Sequence, residues 1–158
     1  MGLTNKILIS DDRMKHIIEV ARQCYNISKQ MSKSEDFCRK MFMLGYLHDI
    51  GYEFAKNKDE HPSVSADLLK LIGISDDAFI NAIRLHGELV ENETIEWLIL
   101  NKADMTVDSK GNVVTAEERL KDIADRYGQN SDVYDKAYTL CKKIGLICKK
   151  AEQKASIL

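Results

Sequence analysis

The stretch CRKMFMLGYLHDIGY, residues 38–52, decides how the chain reads. Its apolar residues recur at helical spacing: Met41 and Leu44 fall in line with Phe37 before them and His48 after them, so an imidazole ends a core-facing row. The helix expected from about Ser34 to Ile50 stops at Gly51, a residue that readily supplies a left-handed C-cap. Asp49 follows His48 directly. Adjacent helical residues diverge by about 100°, so the two converge on one point most easily where a helix ends. Two groups that resist burial therefore stand at the end of an apolar helix, and each needs a partner there.

The same period continues in both directions, with one proline and no sustained alternation, and predicts an all-α chain of about seven helices. From Asp11 to about Met31, capped by Ser10 or Asp11, Ile17, Val20, Cys24 and Ile27 form a face that also carries Arg13 and His16. His61-Pro62 opens a third helix, with Val64, Leu68, Leu69 and Ile72 apolar, that ends at Gly73. Ser75 caps a fourth, in which Phe79, Ala82, Ile83 and His86 share a face before Gly87. A fifth, from about Thr94, brings Trp97, Leu100 and Asp104 to one side. Lys110-Gly111-Asn112 reads as a turn or short hairpin. Two more helices are expected at about 115–127 and 131–152, the latter capped by Ser131. Its row Val133, Ala137, Leu140, Cys141, Ile144 covers the core or joins a second copy as a homodimer.

Composition bounds the function. The chain has 158 residues with 25 acidic against 23 basic, so it lacks the positive field that holds nucleic acid by its phosphates. No apolar stretch approaches the ~20 residues of a membrane span and no signal-peptide pattern opens the chain, which sets the expectation of a cytoplasmic protein. Cys24, Cys38, Cys141 and Cys148 have no C-x-x-C spacing and read as small buried hydrophobes rather than zinc ligands.

The chain has four histidines, and His16, His48, His61 and His86 all fall on an apolar face or at the end of a core helix. A single inward histidine is ordinarily satisfied by a backbone carbonyl. Four of them, with Asp49 and Asp104 also inward, are satisfied together by a metal centre. Imidazole and carboxylate ligands without thiolate suit iron, manganese, zinc or cobalt.

The order His16, His48-Asp49, Asp104 resembles the H...HD...D signature of the HD-domain superfamily of metal-dependent phosphohydrolases, with LHDIG its most recognisable piece. His61 and His86 fall where two-metal members carry extra histidines, and the whole order, with Arg13 before His16, is similar to the HD-domain diadenosine tetraphosphatases. The loop from Asp49 to His61 is shorter than theirs, and the acidic-proline continuation after Asp104 is absent. Both features weigh against diadenosine substrates. The absence of a GYP motif weighs against cyclic dinucleotides. EERLKDIADRYG, residues 117–128, resembles a segment of small bacterial HD hydrolases that names no substrate.

The resemblance implies a single HD domain over 1–158, with its metal-site core at about 11–105 and C-terminal helices at about 115–152. It also implies two divalent ions, iron or manganese first, with zinc, cobalt, nickel or magnesium behind them. His16, His48, Asp49 and Asp104 would hold one ion; Asp49, His61 and His86 the other. A bridging hydroxide would attack a small phosphorylated substrate, possibly a nucleotide, with His48 and Asp49 as the catalytic pair. Arg13 and Lys102, close in sequence to His16 and Asp104, are candidates to bind the phosphate. Two other readings stay open: a di-iron oxygenase resembling myo-inositol oxygenase, and a non-catalytic module that binds a nucleotide or partner.

Overall fold

In the computed structural model, residues 9–147 are described. Seven α-helices follow one another: α1 (Asp11–Gln30), α2 (Glu35–Leu47), α3 (His61–Leu71), α4 (Asp77–Arg84), α5 (Ile95–Asp104), α6 (Ala116–Tyr127) and α7 (Asp132–Lys143), with one-turn 3₁₀ helices at Tyr52–Phe54 and Lys58–Glu60. The chain is all-α, as its periodicity requires. Among the described residues β pairing is confined to an isolated antiparallel bridge between Val107 and Val113, on either side of the predicted 110–112 turn.

Side-chain caps set most helix starts. Ser10, Ser34, Asp76, Thr94, Thr115 and Ser131 each accept a hydrogen bond from the backbone N–H three residues on. Thr115 and Glu118 complete a reciprocal capping box. α3 lacks such a cap and carries Pro62 in its first turn, where a missing N–H is no loss. The cap of α4 is Asp76, not Ser75: its carboxylate accepts from Phe79 N and also pairs with Lys40 at 2.8 Å, which a serine hydroxyl could not do.

Two other expectations are corrected. α2 ends at Leu47, three residues before Ile50, and Gly51 has φ −86°, so it is no left-handed cap. Glycine is needed there for space. A Cβ on Gly51 would lie 2.4 Å from the backbone nitrogen of Ser65, and the Gly51 N–H donates to the Ser65 hydroxyl at 2.8 Å. The turn after α2 is thereby pressed against α3. α7, expected to run to 152, stops at Lys143 because Gly145 turns the chain at φ +78°; residues 148–152, with Cys148, lie outside the described region.

The buried apolar side chains form one cluster that draws on every α-helix, with Trp97, Met41 and Leu44 among its largest members. α1 and α2 approach closely because Gly45 has no side chain; a Cβ there would lie 2.7 Å from the Ala21 Cα. Of the row on α7, Leu140 and Cys141, with Ile144 just past the helix end, are buried in the cluster, while Val133 is exposed. No helix of the described region is long and apolar enough to cross a membrane.

Candidate metal centre

The six inward polar groups meet in one place because most of them sit where helices end. His16 lies inside α1, His48 and Asp49 follow α2, His61 begins α3, His86 lies in the turn after α4, and Asp104 is the last residue of α5. His16, His48, Asp49 and His86 are buried; His61 and Asp104 are partly so.

Each imidazole is held by a backbone carbonyl. Nδ1 of His16 lies 2.9 Å from the Asp108 oxygen, His48 2.6 Å from Gly45, His61 2.5 Å from Lys58, and His86 2.6 Å from Ile83. A carbonyl can only accept, so Nδ1 carries a proton in all four, and Nε2 is the nitrogen left facing inward, free to ligate once it is bare. This is how protein holds a histidine that ligates through Nε2. His16 depends in addition on the 108–112 turn, where Asp108 accepts from the Lys110 and Asn112 backbone at 2.9 Å each.

Asp49 divides its two oxygens between two sides. Oδ1 lies 3.1 Å from His61 Nε2 and 3.5 Å from His86 Nε2. Oδ2 lies 3.4 Å from His48 Nε2, 3.8 Å from His16 Nε2 and 2.8 Å from the Arg13 guanidinium that donates to it. Asp104 Oδ1 lies 3.1 Å from His16 Nε2 and 3.5 Å from His48 Nε2. Ligand atoms close enough to share an ion occur in overlapping sets, including His16–His48–Asp49, Asp49–His61–His86 and His48–His86–Asp104.

The electrostatics fit cations. Burial alone would raise the Asp49 carboxyl, but His48, His61 and His86 outweigh it and hold it well below the usual carboxylate range. Asp104 is likewise lowered, against the push of burial, by His16 and His48. Burial pulls the His16 imidazole down, yet Asp104 and Asp49 reverse this and its net shift is upward. His48 Nε2 and Asp49 Oδ1 are buried with no hydrogen-bond partner. Orphaned acceptors of this kind are costly unless something positive lies between them. Thiolates do not compete: Cys24 and Cys141 are buried and free, and burial pushes the Cys141 thiol up to about 12.

The HD domain family model matches residues 13–129, which include all six of these side chains. The chain belongs to the HD-domain family. It is also similar to ribonuclease Y of Fusobacterium nucleatum subsp. nucleatum, 29% identical over 98 residues, a stretch covering 61% of this chain but 18% of that protein. No solved structure matches the chain. Family membership and the clustered ligands together support a metal-dependent hydrolase.

Around the HD ligands the structure sorts the expected substrate contacts. Arg13 lines the hollow over the centre; it is tied to Asp49 and stacks on Tyr52, with its guanidinium carbon 3.6 Å from the ring centroid. Lys102 is not brought to the site. It lines a separate hollow with Gln23, Ile27 and Thr106, because residues two apart on a helix face nearly opposite ways and Lys102 stands two before Asp104. Trp97 is a core residue whose Nε1 donates to the Leu85 carbonyl. Arg119 and Arg126 of α6, with Tyr127, line the same hollow as Arg13. Sequence reasoning passed over them. The available signal was their spacing: Arg119, Ile123 and Arg126 share one helix face, and Ile123 is buried.

Proposed function

We propose that this HD domain is a phosphohydrolase of a small phosphorylated metabolite, a nucleotide among the candidates, and that it works with two divalent ions. The observation that carries this reading is the division of Asp49, one oxygen toward His61 and His86 and the other toward His16 and His48. A carboxylate so placed can bridge two ions, with Asp104 completing the first set. Divalent ions bound there would supply an acidified water and the positive charge that phosphoryl transfer needs.

The residues of the chain do the rest. Carbonyl-held imidazoles keep Nε2 aimed inward without reorganisation, Arg13 fixes the orientation of Asp49, and burial excludes competing bulk water. Three arginines around the hollow favour an anionic substrate and place hydrolysis above oxygenase chemistry on a neutral one. The chain covers too little of the ribonuclease to carry over that protein's substrate, and its net charge of −2 favours a small ligand. The test is direct: metal-loaded protein is assayed against phosphomonoesters, phosphodiesters, nucleotides and short RNA, beside an Asp49→Asn variant. Turnover that chelator and the variant both abolish supports the proposal. Turnover by Asp49→Asn equal to wild type would place the active site elsewhere.

A further inference from the structure

The metal ligands lie where two hollows of opposite character meet. The first, of about 210 Å³, sets Arg13, Arg119 and Arg126 beside His16, Asp49 and Asp104. The second, of about 380 Å³, runs from His61 and His86 along α7, over an apolar floor that includes Met105, Ala137 and Leu140. Its charged lining is mainly acidic: Asp59, Glu88 and Asp132 against Lys136, which is itself paired with Glu88. His61 and Val133 line both hollows, so the two are contiguous at a metal-ligand side chain.

The arginine side carries a buried donor without a partner. Arg119 and Arg126 both reach the same oxygen of Asp122, and the charge of Arg119 is also felt at Asp108. The Arg119 Nε is buried without a hydrogen-bond partner, and its side chain is 15% exposed. A substrate ending in the phosphate under attack would leave this donor unanswered. A substrate with a further phosphate beyond the reacting one would answer it, since guanidinium groups match phosphate oxygens in geometry and charge.

Resting on the hydrolase reading above, we propose that the site takes a phosphoanhydride spanning both hollows. The phosphorus attached to the organic group lies at the six ligands, the outer phosphate reaches Arg119 and Arg126, and the organic group lies along α7. Its hydroxyl and amino donors face Asp59 and Asp132, and its apolar surface meets Met105 and Ala137. A volume of this order suits a drug-sized organic moiety. In the reaction the water oxygen bonds to the inner phosphorus and the P–O bond to the bridging oxygen breaks. That oxygen leaves with the electron pair on the outer phosphate, next to Arg119 and Arg126, and the protons of the water pass to the products or solvent. A diphosphate yields an organic monophosphate and inorganic phosphate; a triphosphate yields the monophosphate and pyrophosphate.

The experiment compares two probes by calorimetry, with and without manganese: methylenediphosphonate, whose P–C–P bridge resists hydrolysis, and inorganic phosphate. Wild type is expected to prefer the diphosphonate at least about tenfold, and Arg119→Gln and Arg126→Gln each to lose about tenfold of that preference with little change for phosphate. Arg126, on the more exposed part of α6, carries the test alone if Arg119→Gln fails to fold. Ala137→Trp, which fills the second hollow, is expected to raise KM for a nucleoside diphosphate at least about fivefold and to leave diphosphonate binding unchanged. Equal weakening of both probes, or of neither, overturns the inference, as does an unchanged KM in Ala137→Trp. Wild type that hydrolyses no phosphoester but keeps the arginine-dependent preference would overturn the hydrolase reading and leave the anion hollow standing. Monoester hydrolysis with silent arginine variants would do the reverse.

Discussion

Nε2 of His61 lies 3.1 Å from Nε2 of His86, and the Nδ1 of each ring is committed to a backbone carbonyl. The two Nε2 atoms so fixed face one another, with Asp49 Oδ1 3.1 to 3.5 Å from them. These three ligand atoms lie close enough together to share one cation. Metal content should therefore fall from about two ions per chain to about one in His61→Ala and in His86→Ala, measured by elemental analysis of protein purified without chelator or nickel. Two ions retained in both variants would disprove the second site.

Protons and metal compete for the same nitrogens. Metal-free, the raised His16 value means that its charged form stabilises the fold below the usual 6.5, and that this contribution is lost as pH rises through the higher folded value. Asp49 and Asp104 are shifted the other way, so their contribution is present above the usual 3.8 and lost as pH falls through their lowered folded values. The metal-free protein is accordingly best served between these ranges, whereas metal binding needs His16 neutral. The rise in Tm on adding manganese should be larger at pH 8 than at pH 6. Equal rises at both would mean that His16 does not give up a proton to the metal.

Arg13 acts on the centre through Asp49, to which it donates at 2.8 Å while stacked on Tyr52. Arg13→Gln should lower metal affinity or turnover about 10- to 100-fold, the usual cost of losing a group that orients a ligand. Arg13→Lys keeps the charge but loses the planar stack, and should recover only part of it. Full activity in Arg13→Gln would reduce this arginine to a surface ion pair.

How much of this was legible in the sequence depends on how far each residue's role is local. His48 ends the row of Phe37, Met41 and Leu44, and His86 ends the row of Phe79, Ala82 and Ile83, so helical period alone turned both inward. Arg13 precedes His16 by nearly one turn and shares its face; Lys102 precedes Asp104 by two residues and does not. Closeness in sequence was a poor guide there because a helix rotates by about 100° per residue. Arg119 and Arg126 come to line the hollow over the centre through packing of α6, across a distance in sequence that no local pattern encodes. In sequence Gly51 looks like a conformational device, yet its φ is ordinary and its purpose is room for Ser65, which only the fold reveals.

Gly51 and Gly73 show two uses of glycine, room in one case and a positive φ in the other. Gly51→Ala forces a Cβ to within 2.4 Å of the Ser65 backbone nitrogen, so either the turn carrying His48 and Asp49 or the first turns of α3 must shift. Backbone offers no flexible end to give way, and the strain should cost about 1–3 kcal/mol. At about 2–4 °C per kcal/mol for a chain of this size, Tm falls by several degrees. His61 begins α3 one turn before Ser65, so the same shift moves it away from Asp49. Gly73→Ala is the control: φ there is +97°, which penalises any side chain by about 1–2 kcal/mol, but a Cβ meets nothing within 4 Å. Both variants should lose stability, and only Gly51→Ala should also bind the second metal more weakly. Weakening by both to the same degree would trace the effect to general destabilisation and not to the contact between the turn and α3.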